Sequence, residues 1–345
     1  MTIKIYDHNG IGLTSLFSID FENLSYNKVL MGIGSMEFTV RVDSDKITKE
    51  SIQVYNRVKL EENGKIVFSG YIAESNINLE TITIRCFGLV GLLKVRVTPF
   101  NYSLSDDVNT VVSSLISNAN ENESTGIIAG DMAGVGNVSR AYNGDTIYDA
   151  IDDAITGTAN QWKFNHETGQ IDIKPLIGQN LSSEIILQYD TRIIALANLS
   201  SFSVIDKGDA VTTVSVGRVN ASTDNISDTA LIDKYGRVEK NTAYRTISNT
   251  DLATQLTSEL SESEYSPELT LLPIIPDTFD VGDILGVKLY NKIIDINTAY
   301  QVLEKEVVYQ GEQKIIKIKV NKKQTDILDI IKNHSKEIRN LSNHL

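Results

Sequence analysis

The chain has 345 residues, of which 41% are hydrophobic and 22% charged, a composition that supports packed domains and excludes a disordered or fibrous chain. Its formal net charge of -13 excludes nucleic-acid binding by phosphate neutralisation, which needs clustered Lys and Arg. Cys86 is the single cysteine, so no intrachain disulfide is possible, and no apolar run approaches the roughly 18 residues of a membrane span.

The N-terminus, MTIKIYDHNG, alternates and then turns, with no apolar stretch of the signal-peptide kind. Residues 1–98 read as strands. Met36, Phe38, Val40 and Val42 alternate with Glu37, Thr39 and Arg41, the period of a half-buried strand. Arg57–Leu60 and Ile66–Ile72 flank Glu61-Glu62-Asn63-Gly64-Lys65, where Asn-Gly favours positive φ and predicts a hairpin. Thr81–Phe87 alternates again and places Cys86 among Ile82 and Ile84, which predicts a buried thiol. Short strands separated by turn signals predict a small antiparallel barrel or sandwich.

The pattern changes at residue 99. Ser105 is a candidate cap for a helix whose apolar face holds Val108, Val111, Val112, Leu115 and Ile116, with Asp106 and Asp107 in its first turn. Asn118–Asn137 is rich in Asn, Gly and Ser and reads as loose. A second helix starts near Asp145 or Thr146 and carries Ile147, Ile151, Ala154 and Ile155 on one face. Gln161–Phe164, a turn at His166–Gly169 and Gln170–Lys174 predict a hairpin, with Trp162 in the core. Residues 99–190 therefore read as a small α+β domain.

Strands return over 191–322, at Val214 and Val216, Asp283–Leu289, Tyr300–Tyr309 and Gln313–Val320, with a helix predicted at Asp251–Glu262 on a stripe of Leu252, Leu256 and Leu260. Val58-Lys59-Leu60 and Val287-Lys288-Leu289 each precede a long strand and then an alternating strand, the trace of a divergent duplication. Over 323–345, Ile327, Ile331, His334, Ile338, Leu341 and Leu345 are spaced 4, 3, 4, 3 and 4 apart, an a/d seam that predicts a coiled coil. A lone helix of that length is marginal in water, so partner helices are expected. An amphipathic helix folded back on its own domain is the competing reading.

Signatures of catalysis are absent. The four histidines, His8, His166, His334 and His344, form no His-Glu-x-x-His. There is no Gly-x-Ser-x-Gly elbow and no Gly-Lys-Ser/Thr loop. No catalytic residue, cofactor-binding residue or metal ligand is therefore expected. The acid pairs Asp106–Asp107, Asp152–Asp153 and Asp280–Asp283 read as helix start, solvated helix face and turn. An alternative is a carboxylate-dependent cell-wall hydrolase drawing on Asp131, Asp145, Asp149 and Glu167. Another is a β-rich host-surface binding module, although aromatic residues, 7% of the chain, are scattered.

The order of these segments resembles the hub proteins of phage tail tips: the central hub of myophage baseplates and the N-terminal hub region of siphophage tail-associated proteins. The residues that carry it are Gly34-Ser35-Met36-Glu37-Phe38-Thr39-Val40, the hairpin from Val58-Lys59-Leu60 to Phe68-Ser69-Gly70-Tyr71-Ile72, the run Cys86-Phe87-Gly88-Leu89-Val90-Gly91-Leu92-Leu93, the Asp145–Gly169 helix and Trp hairpin, and Phe279-Asp280-Val281-Gly282-Asp283. The resemblance covers about the first 320 residues. It implies a mainly β fold of two tail-tube-like antiparallel β-barrels, 1–98 and 191–322, with the α+β insert between them and the coiled coil behind. It implies a non-enzymatic structural subunit, a homotrimeric ring that closes the distal end of a tail tube in the virion, assembled in the host cytoplasm. The seam residues Ile327, Ile331, His334, Ile338, Leu341 and Leu345 would then hold the trimer. The implied partners are a distal tail or tail tube protein above, the C-terminus of a tape-measure protein in the lumen, other tail-tip or receptor-binding proteins, and DNA that passes without specific binding. An acidic lumen suits such passage because it repels phosphate.

Overall fold

The computed structural model describes residues 1–156, 158, 160–206, 211–216, 224–235, 237–242, 265–311 and 313–321. It divides into two compact units. The first comprises Met1–Phe202 and Glu268–Val320, and the second holds the described residues of Ser203–Pro267.

The fold is mainly β. The chain begins with β1 (Thr2–Tyr6), β2 (Gly12–Phe17), β3 (Phe21–Val29), β4 (Ser35–Arg41), β5 (Arg57–Glu62), β6 (Lys65–Ile77) and β7 (Thr81–Gly88). Met36, Phe38 and Val40 of β4 are buried, with Glu37 and Thr39 on the other face. Val42 falls beyond the strand and is 41% exposed. At the β5–β6 hairpin Asn63 and Gly64 have φ of 52° and 79°, the left-handed pair that a two-residue turn requires. Cys86 is buried on β7, and burial pushes its thiol pKa up.

A 3-10 helix, Leu89–Val95, leads into the insert. The insert contains β8 (Tyr102–Asp107), α1 (Val108–Ala119), β9 (Ile128–Met132), β10 (Asn137–Tyr142), α2 (Ile147–Thr156), β11 (Gln161–Asn165) and β12 (Gln170–Lys174). The α1 face predicted from spacing packs against Ile147, Ile151, Ala154 and Ile155 of α2 and against Trp162, Ile171 and Ile173. Three local expectations need correction. Ser105 does not cap α1, because Ser103–Asp107 pairs with β10 and the helix starts only afterwards. Asp107 is the cap, and its carboxylate accepts from Asn109 N at 2.9 Å and Thr110 N at 3.2 Å. The stretch 118–137 also holds β9, which adds in parallel to β12. Asp152 is half-buried, and Trp162 Nε1 donates to it at 3.5 Å; burial raises its pKa.

Beyond the insert come β13 (Ile186–Asp190) and β14 (Leu199–Asp206). The second unit has β15 (Thr213–Val216), β16 (Asp224–Ser227), α3 (Thr229–Tyr235) and β17 (Glu239–Thr242), whose strands form one three-stranded sheet in the order β16-β15-β17. The predicted helix at Asp251–Glu262 lies outside the described residues. The chain then forms β18 (Tyr265–Leu271), β19 (Ile284–Tyr290), β20 (Asp295–Gln310) and β21 (Gln313–Asn321).

Early and late strands share one 13-stranded sheet ordered β14-β18-β21-β20-β3-β4-β7-β6-β5-β1-β2, with β19 also on β20 and β13 on β19. The duplicated pattern corresponds to β5-β6-β7 and to β19-β20-β21, whose members are sheet neighbours in sequence order. The 16-residue β20 joins the halves. Its first part pairs with β19, from Asp295 to Gln301. Its second part, Glu304–Val308, pairs with β3.

Candidate functional site

The seam residues Ile327, Ile331, His334, Ile338, Leu341 and Leu345 lie outside the described residues. What the structure brings together instead is a chain of charged groups in the first unit, where β3, β20, β21, the insert hairpin and the 277–283 loop meet.

Two ion pairs tie the loop at Asp277. Lys305 reaches Asp277 and also donates to Phe279 O at 2.6 Å. Lys314 reaches Asp277 at 2.7 Å and Glu62 at 2.9 Å. Tyr309 donates to the same Glu62 at 2.8 Å. Burial alone would raise the Asp277 pKa, but Lys305 and Lys314 outweigh it and hold the carboxyl below its usual range. Burial alone would lower Lys314, and its two carboxylate partners raise it instead. For Asp277 and Lys314 the opposite charges beside them thus outweigh the effect of burial.

Asp280 anchors the second cluster. Lys28 of β3 lies 3.3 Å from it and Lys163 of β11 lies 2.9 Å away. These lysines overcome burial and keep the Asp280 carboxyl well below the carboxylate range. Lys28 shows the converse: burial lowers its pKa, and Asp280 only partly compensates. Asp283, three residues on, accepts from Gln179 N at 2.8 Å and Asp280 N at 2.7 Å. Asp280 and Asp283 therefore do bracket a turn, as the sequence predicts. Gly282 has φ of 93° there, and a Cβ on the facing Gly178 would sit 2.2 Å from the Gly282 backbone, so both positions need glycine. Beneath the turn, Gln161 and Gln301 exchange side-chain hydrogen bonds at 2.9 Å. A cavity of about 530 Å³ opens beside Asp280.

His166 closes the arrangement. It occupies the predicted turn but is buried, stacked on Phe68 with ring centroids 5.0 Å apart. Ser69 N donates to His166 Nδ1 at 3.0 Å. Burial lowers the His166 pKa to about 3, so the ring is neutral and serves as an acceptor. Spacing alone carried no signal for this role, nor for that of Lys28, Lys163, Lys305 and Lys314.

The acids weighed for hydrolysis serve local structure. Asp131 pairs with Lys174 at 2.6 Å. Asp145 accepts from Asn143 N at 2.8 Å, and Asp149 accepts from the Thr146 hydroxyl at 2.7 Å while its own N–H donates back to Thr146, a cap on α2. Glu167 is exposed in the hairpin turn, its N–H donating to Asn165. Among the described residues no group of His, Cys, Asp and Glu has the geometry of a metal site, and no helix is long and apolar enough to cross a membrane.

The fold recurs in solved structures. The 43 kDa tail protein of prophage MuSo2 from Shewanella oneidensis aligns with a TM-score of 0.64 and 12% identity, covering 96% of this chain and 99% of that one. It has the fold of phage tail proteins. The tail-protein fold extends to prophage tail protein gp18 of Listeria monocytogenes, with a TM-score of 0.59 and 12% identity over 98% of this chain and 100% of that one. It also extends to the E. coli c3393 protein, a type VI secretion component described as similar in structure to the T4 tail proteins gp27 and gp5; there the TM-score is 0.53 and the identity 8%, over 89% of this chain and 74% of that one. No protein-family model and no curated protein matches the sequence.

Proposed function

We propose that this chain is the structural hub of a phage or phage-like tail tip, a homotrimeric, non-catalytic ring that closes the distal end of the tail tube in the virion. The observation that carries this reading is the end-to-end likeness to prophage tail proteins, which spans nearly all of both chains. The likeness covers 96% and 98% of this chain, and so is not confined to one segment. The continuous sheet through β20 and β3 suits a load-bearing ring element, because force on either half passes directly through backbone hydrogen bonds. In this reading the helix over 323–345 leaves the ring along its axis, with Ile327, Ile331, His334, Ile338, Leu341 and Leu345 facing their counterparts. A distal tail or tube protein sits above, a tape-measure C-terminus occupies the lumen, and receptor-binding proteins attach outside. The net charge of -13 keeps passing DNA from adhering.

Light scattering tests the reading on the full chain and on a version ending at Lys323. A trimer that weakens or dissociates on truncation is the expected result. A full-length monomer at high micromolar concentration would sink the self-assembling ring.

A further inference from the structure

A second cavity, of about 340 Å³, lies within the first unit between the β1-β5-β6 sheet face and the insert loops at Ser124–Gly126 and Glu167–Gly169. The register puts Tyr6 opposite Arg57 and Ser69 opposite Lys59, so these side chains share one face of the pleat. In a protein with this excess of acids, neither basic residue forms a direct ion pair with a carboxylate among the described residues. Arg57 makes one long bond, from Nη2 to Ser124 O at 3.5 Å, and its Nη1 is buried with no hydrogen-bond partner. Lys59 lies over the Tyr6 ring, 5.6 Å from its centroid. The Ser69 hydroxyl, on the same wall, is also buried without a partner. By contrast Lys4, the next basic group on this face, is closed off by Glu61 at 2.7 Å. The exposed Glu167 is the cavity's one acidic lining residue.

We propose that this cavity is an oxyanion site, in which a carboxylate or phosphate group is held by the Arg57 guanidinium, the Lys59 ammonium and the Ser69 hydroxyl. A guanidinium fork matches both anions in bidentate geometry, and such bonds are among the strongest a protein makes. Unpaired, the same guanidinium is costly. Burial lowers the Arg57 pKa, opposed by Glu123, with Arg96 adding to the lowering. An entering oxyanion supplies the missing counter-charge and an acceptor for the two unsatisfied donors. This inference does not depend on the hub reading.

Titration calorimetry on the full chain would use inorganic phosphate and, separately, citrate, each against sodium chloride at equal ionic strength. Saturable heat with at least one of them is expected. Phosphate alone points to a phosphate group, citrate alone to a carboxylate, and both to a general oxyanion cradle. Arg57→Met should weaken binding about tenfold or more, the loss of a charge-assisted hydrogen bond, without lowering Tm in the absence of anion. Arg57→Lys, which keeps the charge, should retain part of the affinity. If neither anion gives saturable heat with the unaltered protein, or if the affinity survives in Arg57→Met, the assignment is overturned.

Discussion

Ser69 on β6 and His166 in the insert hairpin meet across 97 residues of sequence: Ser69 N donates to His166 Nδ1 at 3.0 Å, and Ser69 O lies 3.2 Å from the same nitrogen. The contact pins the insert to the sheet and requires a neutral imidazole. The folded pKa, about 3, lies below the ordinary value of about 6.5. Between those values the unfolded chain binds the extra proton, so this residue makes stability fall as pH drops through that window. His166→Phe should be less stable than the parent at pH 7 by about 1–3 kcal/mol, because the Ser69 N–H loses its acceptor. The gap should narrow by up to about 1.4 kcal/mol per pH unit below pH 6.5. Denaturant unfolding of both proteins at pH 7, 6 and 5 reads this, and a gap independent of pH would contradict it.

Asp277→Ala removes a carboxylate shared by Lys305 and Lys314. Lys305 is buried, and leaving such a charge uncompensated costs about 3–5 kcal/mol. The expected outcome is a loss of that order in unfolding free energy, seen as a lowered Tm. The Asp277 and Asp280 pKa values are both depressed in the folded state. Their contribution is therefore present above the unfolded carboxylate pKa of about 3.9 and is lost as pH falls through the folded values. Thermal unfolding of the variant should accordingly depend less on pH below about 4 than that of the parent.

Gly64→Ala introduces a Cβ at φ of 79°, with open space around it. No clash is created, so the cost is the left-handed backbone alone, about 1–2 kcal/mol. A loss much larger than this in urea unfolding would mean that the β5–β6 turn contacts something further.

Ile331→Asp with Ile338→Asp places charges at two layers of the predicted seam. If those layers hold three helices together, the mass by light scattering falls to that of one chain while far-UV circular dichroism keeps its strand signal. An unchanged mass would assign assembly to the sheet-rich body.

Much of the local structure was legible because it rests on short-range periodicity and turn chemistry. Asn63-Gly64, the face Val108, Val111, Val112, Leu115 and Ile116, and the hairpin around Trp162 all formed where their patterns placed them. The cap of α1 was misplaced by two residues because Ser105 and Asp107 are equally good caps in isolation. Pairing of β8 with β10 consumes Ser105, and only tertiary structure reveals that.

By itself the sequence determined a mainly β chain with an α+β insert, since alternation and helical spacing are encoded within a few residues. Tertiary structure alone decided that β20 pairs with β3 and that Lys28 meets Asp280 across 252 residues. It also decided that Arg57 has no carboxylate in direct contact among the described residues. The physical reason is the same in each case: a charge or a strand edge has many possible partners along a chain, and the choice is made by burial, which exists only once the chain has folded.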